Sequence, residues 1–313
     1  MIYYYFSLIF LVQFSCKFTV SVPIDECQTD SAKNPLGENE CDSKRPNIFV
    51  DRNNLLGKPQ ALVGPQTVNY QYGTGPMGPT HWAKMFKQCG GKHQSPIDIN
   101  LATLKNIHMP KLSWDPIYST MPETMTVENT GYTVELRVKY GNSTQAKIQG
   151  GPMNSVYFLD HIHFHWGNSD HKGSEHFING KSYPMEMHAV HLKPHMSFEQ
   201  AIKLPDGIVV VAYIFEVEDT CHIPLKYIQE TFDLIEMDMK TAQPLQNSPF
   251  APVGSLTTPP CSEAVTWIIS PYTIGLSKLQ LQAFRKLYDS SKNLENNYRP
   301  VQSINGRTVH FVN

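Results

Sequence analysis

Seven of the thirteen histidines fall between residues 161 and 191: His161, His163, His165, His171, His176, His188 and His191. Three of them alternate in Asp160-His161-Ile162-His163-Phe164-His165-Trp166. If that run is a strand, successive side chains point to opposite faces, so His161, His163 and His165 share one face. Neighbours on that face stand about 7 Å apart along the strand, close enough to converge on one ion. Met185-Glu186-Met187-His188-Ala189-Val190-His191 offers a further imidazole from a second strand, at a separation that permits an antiparallel neighbour. Three histidines with no cysteine nearby fit a catalytic zinc site better than a structural one. Catalytic zinc keeps three protein ligands and an open position, whereas structural zinc fills all four. Copper and other transition metals also take imidazole, and ordinary surface or core histidines are the plain alternative. The ligand set alone names no reaction.

The elements that must position these residues read as strands. Val134–Tyr140, Val156–Trp166, Met185–Leu192 and Gly207–Glu216 are short apolar or alternating runs between turn signals. Ile208-Val209-Val210-Val211-Ala212-Tyr213-Ile214 is almost wholly apolar and predicts a central strand buried on both faces. Helical segments are few: Phe198–Lys203, and Ser277–Asp289 with Leu279, Leu281, Phe284 and Leu287 on roughly one side. The expected fold is mainly β, one domain with peripheral helices. Residues 22–69 are polar and lack periodic pattern, so they read as an N-terminal extension to a domain over residues 70–313.

The wider text resembles the α-carbonic anhydrase family. The blocks that carry the resemblance are His163-Phe164-His165-Trp166-Gly167, Gly173-Ser174-Glu175-His176, Glu186-Met187-His188-Ala189-Val190-His191 and Ser255-Leu256-Thr257-Thr258-Pro259-Pro260-Cys261 with Trp267. Gln94-Ser95-Pro96-Ile97-Asp98-Ile99 and Asn297-Tyr298-Arg299-Pro300 match near the two ends of the domain. The resemblance runs from about Tyr72 to Arg307. It implies a large, mostly antiparallel twisted central sheet with short helices around it. It also implies a Zn2+-dependent lyase that hydrates carbon dioxide reversibly to bicarbonate and a proton by zinc-hydroxide attack.

By the same resemblance, His163, His165 and His188 are the zinc ligands. Thr257 accepts a hydrogen bond from the nucleophile and Glu175 takes the threonine's own proton, because a hydroxyl has only one proton to give. Thr258 helps bind bicarbonate, and Val190, Val210, Leu256 and Trp267 form the apolar wall that receives carbon dioxide. Glu186 supports His188. His161 stands where the family commonly has a glutamine supporting the first ligand, and it is expected to do the same rather than to ligate. His176 and His191 resemble structural network residues. Cys89 and Cys261 match a disulfide pair of many secreted members. Tyr132 stands at the position of the family's proton-shuttle histidine. A phenol ionises too high to trade protons near neutral pH, so slower proton transfer is expected. An extracellular binding or matrix protein with weak or no catalysis is the alternative, weakened by the intact ligand positions.

The bulk composition is compatible with this. The chain has 313 residues, 41% hydrophobic and 17% charged, with a formal net charge of -2. Nothing in that balance favours nucleic acid or an anionic membrane surface. The opening MIYYYFSLIFLVQFSC suits a signal peptide over residues 1–21, although it lacks the usual basic start. The closing RTVHFVN carries no hydrophobic tail, so no membrane anchor is expected. A secreted, extracellular enzyme follows, and Asn142 in Asn142-Ser143-Thr144 is a glycosylation acceptor. Removing the leader removes Cys16 and leaves five cysteines, an odd number in an oxidising compartment. Cys27, Cys41 and Cys221 have no partner specified by the resemblance, which leaves them available to bridge another chain.

Overall fold

The protein is seen in a computed structural model that describes residues 47–50, 69–120, 122–218, 249–287 and 294–312. The expected signal peptide, Cys16, Cys27, Cys41 and Cys221 lie outside the described residues. The described residues form fourteen strands: β1 Asn47–Val50, β2 Asp98–Ile99, β3 Lys105–Ile107, β4 Ser113–Trp114, β5 Thr124–Asn129, β6 Val134–Lys139, β7 Lys147–Gln149, β8 Tyr157–Trp166, β9 Phe177–Ile178, β10 Met185–Leu192, β11 Ile208–Val217, β12 Pro249–Gly254, β13 Val265–Leu276 and β14 His310–Val312. Three short α-helices accompany them among the described residues: α1 Trp82–Met85, α2 Phe198–Ala201 and α3 Lys278–Arg285. The capping boxes Ser197/Gln200 and Ser277/Gln280 start α2 and α3.

One twelve-stranded sheet runs in the order β1-β5-β6-β8-β10-β11-β13-β12-β14-β3, with β4 and β7 attached beside β8. Its pairs are antiparallel except β1/β5, β11/β13 and β14/β3. The fold is therefore mainly β with a mostly antiparallel sheet, as expected. β10 is buried along its whole length, and β11 from Ile208 to Phe215. None of the described helices is long and apolar enough to cross a membrane.

Residues 47–50 fall inside the segment read as an extension, yet they form a strand at the sheet edge, parallel to β5. Asn-Ile-Phe-Val is too short for a periodic signal, but its β-branched and aromatic residues favour a strand once an open edge is available.

Strand alternation splits the core in two. Ile162, Phe164, Trp166, Met187, Ala189, Val209 and Val211 pack on one face, together with Leu281 and Phe284 of α3. Val190, Val210, Ala212 and Trp267 pack on the other, with Ile97, Ile99 and Val265. The histidines of β8 belong to the second face, because they alternate with Ile162 and Phe164.

Candidate metal centre

Register brings the candidate metal-binding side chains together. In the β8/β10 pair His163 lies opposite His188, and Glu186 lies opposite His165. The row continues outward: Val190 pairs with Val210, and Val210 with Trp267. Nε2 of His163 and Nε2 of His165 approach Nδ1 of His188 to 3.2 and 3.1 Å.

The far sides of two rings fix their tautomers. His165 donates from Nδ1 to the backbone carbonyl of Asn297 at 2.7 Å. His188 donates from Nε2 to Oε1 of Glu186 at 2.7 Å. Burial holds His188 down to about 4 and His163 well below the ordinary histidine value, so both are neutral. In the one-proton form that ligates a metal, His165 and His188 have their protons placed on these far sides. The nitrogens that face each other at 3.1 Å are then both lone pairs. Two lone pairs at that distance repel unless a cation sits between them, and a neutral imidazole is the form that ligates. This donor set fits a divalent metal ion, and three nitrogens match catalytic zinc. His176, Glu186 and His188 also lie close together, but both of those histidines donate to Glu186 Oε1, so this group is a hydrogen-bonded support.

Glu186 is fully buried and accepts from His176 Nδ1, His188 Nε2 and the backbone N–H groups of Glu175 and His176. Burial alone raises its pKa, but His176 and His188 outweigh it and hold the carboxyl far below the usual range. Glu175 is shifted the opposite way: burial raises it and the Glu186 charge adds to that, against lowering by His165, the Arg299 N–H and Thr257. Its Oε1 accepts from Arg299 N at 2.8 Å. Its Oε2 lies 3.5 Å from His165 Nε2 and accepts no hydrogen bond of standard geometry. Thr257 is thus a neighbour of Glu175 that favours its charged form, without a formed bond.

Thr257 is buried in a loop tied from several directions. Ser95 and Ser255 exchange two hydrogen bonds, Leu256 N donates to Ser262 O, and Cys261 N donates to Thr258 O. Cys89 and Cys261 form a disulfide within the chain, as the resemblance implied. Trp267 donates to Ser255 O at 3.1 Å and sets its ring edge-on to His188. Leu256 packs against the cluster that holds Val190, Val210 and Trp267, so the four expected wall residues are together. Gly254 is required beside them, since a Cβ there would stand 2.6 Å from the Trp267 ring.

Tyr132 stacks on Tyr70 with ring centroids 4.4 Å apart and packs against the cluster of Tyr70, Trp82, Cys89 and Cys261. Thr258 lies beside the Tyr70 phenol. Asn142 is exposed in a turn over Gly141–Ser143.

The expected role of His161 is not realised. Its Nδ1 donates to Asp160 Oδ2 at 2.7 Å, and its ring stacks on His163 at 5.1 Å and 27°. Stacked rings cannot hydrogen-bond through their in-plane nitrogens, and His163 Nδ1 has no partner.

Two residues of the Asn297–Pro300 block carry more than their motif announced. Asn297 supports His165 through its carbonyl, accepts from Trp166 N, and donates to Tyr132 O and Phe164 O. Arg299 holds Glu175 through its N–H while its guanidinium binds Gln94, Ser95 O and Cys89 O.

Residues 77–313 match the family model for eukaryotic-type carbonic anhydrase. This chain belongs to the carbonic anhydrase family. It is 33% identical over 250 residues to human (Homo sapiens) carbonic anhydrase 7, covering 74% of this chain and 93% of that protein. It is 34% identical over 251 residues to carbonic anhydrase 3 of Sus scrofa, covering 74% and 94%. Carbonic anhydrase 3 of Mus musculus is similar at 32% over 250 residues, with 74% and 94% covered. The chain is an enzyme of the carbonic anhydrase class, and the buried histidine centre is its candidate active site.

Proposed function

We propose that this carbonic anhydrase hydrates carbon dioxide reversibly at a zinc ion held by Nε2 of His163, Nε2 of His165 and Nδ1 of His188. The observation that carries the reading is the convergence of three buried ring nitrogens, with Nε2 of His165 and of His163 at 3.1 and 3.2 Å from His188 Nδ1. When bound, zinc supplies a Lewis acid that makes water nucleophilic near neutral pH.

The chain's own groups direct the attack. Glu175 Oε2 is positioned to take the Thr257 proton, being the acceptor without a partner. Thr257 then has only a lone pair to offer toward the metal side, and it orients the attacking water by accepting from it. Val190, Val210, Leu256 and Trp267 form an apolar wall that takes carbon dioxide and excludes competing water. Thr258 binds the bicarbonate product. Tyr132, held by its stack on Tyr70, is a poor proton relay where fast members have an imidazole, so proton release is the slow step.

The same reading has the chain secreted after loss of residues 1–21, with Asn142 as a glycosylation acceptor and a disulfide to a partner through Cys27, Cys41 or Cys221. Stopped-flow carbon dioxide hydration with and without chelator, alongside metal analysis, tests the enzyme reading. Activity that is lost on chelation and restored by zinc is expected. A folded, zinc-loaded protein with no activity overturns it and leaves a binding or matrix role.

A further inference from the structure

Of the three imidazoles that face the metal position, His163 is the one whose far nitrogen is unsupported. His165 donates its second N–H to Asn297 O and His188 donates its own to Glu186. His163 Nδ1 is buried and has no hydrogen-bond partner. A ligating histidine that donates from its other nitrogen is fixed in tautomer and ring angle, and its ligating nitrogen becomes more basic. His163 lacks all three effects.

The group that could supply them is turned away. His161 sits two residues back on the same face of β8, but Asp160 Oδ2 holds its Nδ1 at 2.7 Å. Asp160 is held in turn by Arg137 Nη1 at 3.1 Å, and Arg137 by Glu135 Oε1 at 2.7 Å. With these contacts the His161 ring stacks on that of His163 at 27° between planes, and no hydrogen bond joins the two. We propose that residue 161 sets the metal affinity of this site. Captured by Asp160, His161 leaves His163 as the loosely held ligand, and zinc binds more weakly than the three-histidine set permits. His161 acts here as a positioning residue, through what it withholds. The inference rests on the zinc reading above.

The test compares full-length metal-free protein with His161→Gln and His161→Ala, measuring zinc affinity by competition with a chromophoric chelator. Glutamine carries its acceptor oxygen and its donor NH2 on one flexible stem, so the amide can face Asp160 with an N–H and still turn its carbonyl oxygen to His163 Nδ1. His161→Gln should tighten zinc about tenfold, and His161→Ala, which adds no acceptor, should not. Unchanged or weakened binding in His161→Gln overturns the inference, as does equal tightening in His161→Ala. Wild-type protein that binds no zinc overturns the metal reading itself, a distinct result. A second measurement needs no variant. In zinc-loaded wild-type protein with 15N-labelled histidine, the ring N–H protons of His165 and His188 should resonate far downfield as hydrogen-bonded groups, and that of His163 should not. A His163 N–H as far downfield as the other two overturns the inference.

Discussion

A buried imidazole that gives its only proton to a carbonyl or carboxylate has one lone pair left, and at this centre those lone pairs are aimed at each other. That opposition, more than the number of histidines, makes the centre a candidate metal site. Alternation in β8 already put His163 and His165 on one face in the sequence. The partner of each ring was less legible. The spacing that places His161 beside His163 says nothing about ring rotation, and rotation decides whether two imidazoles bond or stack. Tyr132 belongs to the same scale. Its phenol is stacked on Tyr70, and on the proposed function it takes the place of a shuttle histidine. Tyr132→His should raise turnover in weakly buffered solution about tenfold or more, and leave it unchanged where buffer already carries the proton. Stopped-flow rates across a buffer titration check this, and equal rates at low buffer would remove the shuttle deficit.

Strands β6, β8, β10 and β11 and helix α3 could be read in advance because each carries a pattern: short alternating or apolar runs between turn signals for the first three, an unbroken apolar run for β11, and an apolar stripe for α3. β1 was hidden because four residues hold no period and its partner lies far along the chain. Asn297 and Arg299 were hidden for a different reason. Asn297 supports His165 through a backbone carbonyl and Arg299 supports Glu175 through a backbone N–H, and residue type does not advertise what a main-chain atom does. β12 ends at Gly254, where the backbone passes against Trp267 and Ser95. Gly254→Ala should therefore destabilise the protein by about 1–3 kcal/mol and shift the Trp267 ring. Urea unfolding followed by tryptophan fluorescence measures both, and a variant as stable as its parent would show that the contact relaxes freely.

Across the whole molecule, buried histidines couple stability to pH. His191 accepts from the Tyr118 hydroxyl at 2.8 Å and donates to Ala189 O, and burial pushes it down from 6.5 to about 3. Above pH 6.5 the folded and unfolded chains both carry it neutral, so its contribution is complete. As pH falls below 6.5 the unfolded chain takes a proton that the folded chain refuses. Stability then drains toward pH 3, by up to about 1.4 kcal/mol per pH unit for this group. In metal-free protein His163 and His188 act in the same direction. Unfolding free energies between pH 7.5 and 4.5 should show this slope, and His191→Gln should flatten it; a level profile in the wild type would exclude the coupling. The long reach of Asn297 and Arg299 has a consequence in time. They lie 132 and 124 residues after the groups they hold. At about 5–20 residues per second, roughly ten seconds of translation separate the birth of the metal strands from the arrival of their supports. A nascent chain halted before residue 297 would carry every ligand without these two supports, so zinc loading should wait for the last stretch of the chain to emerge.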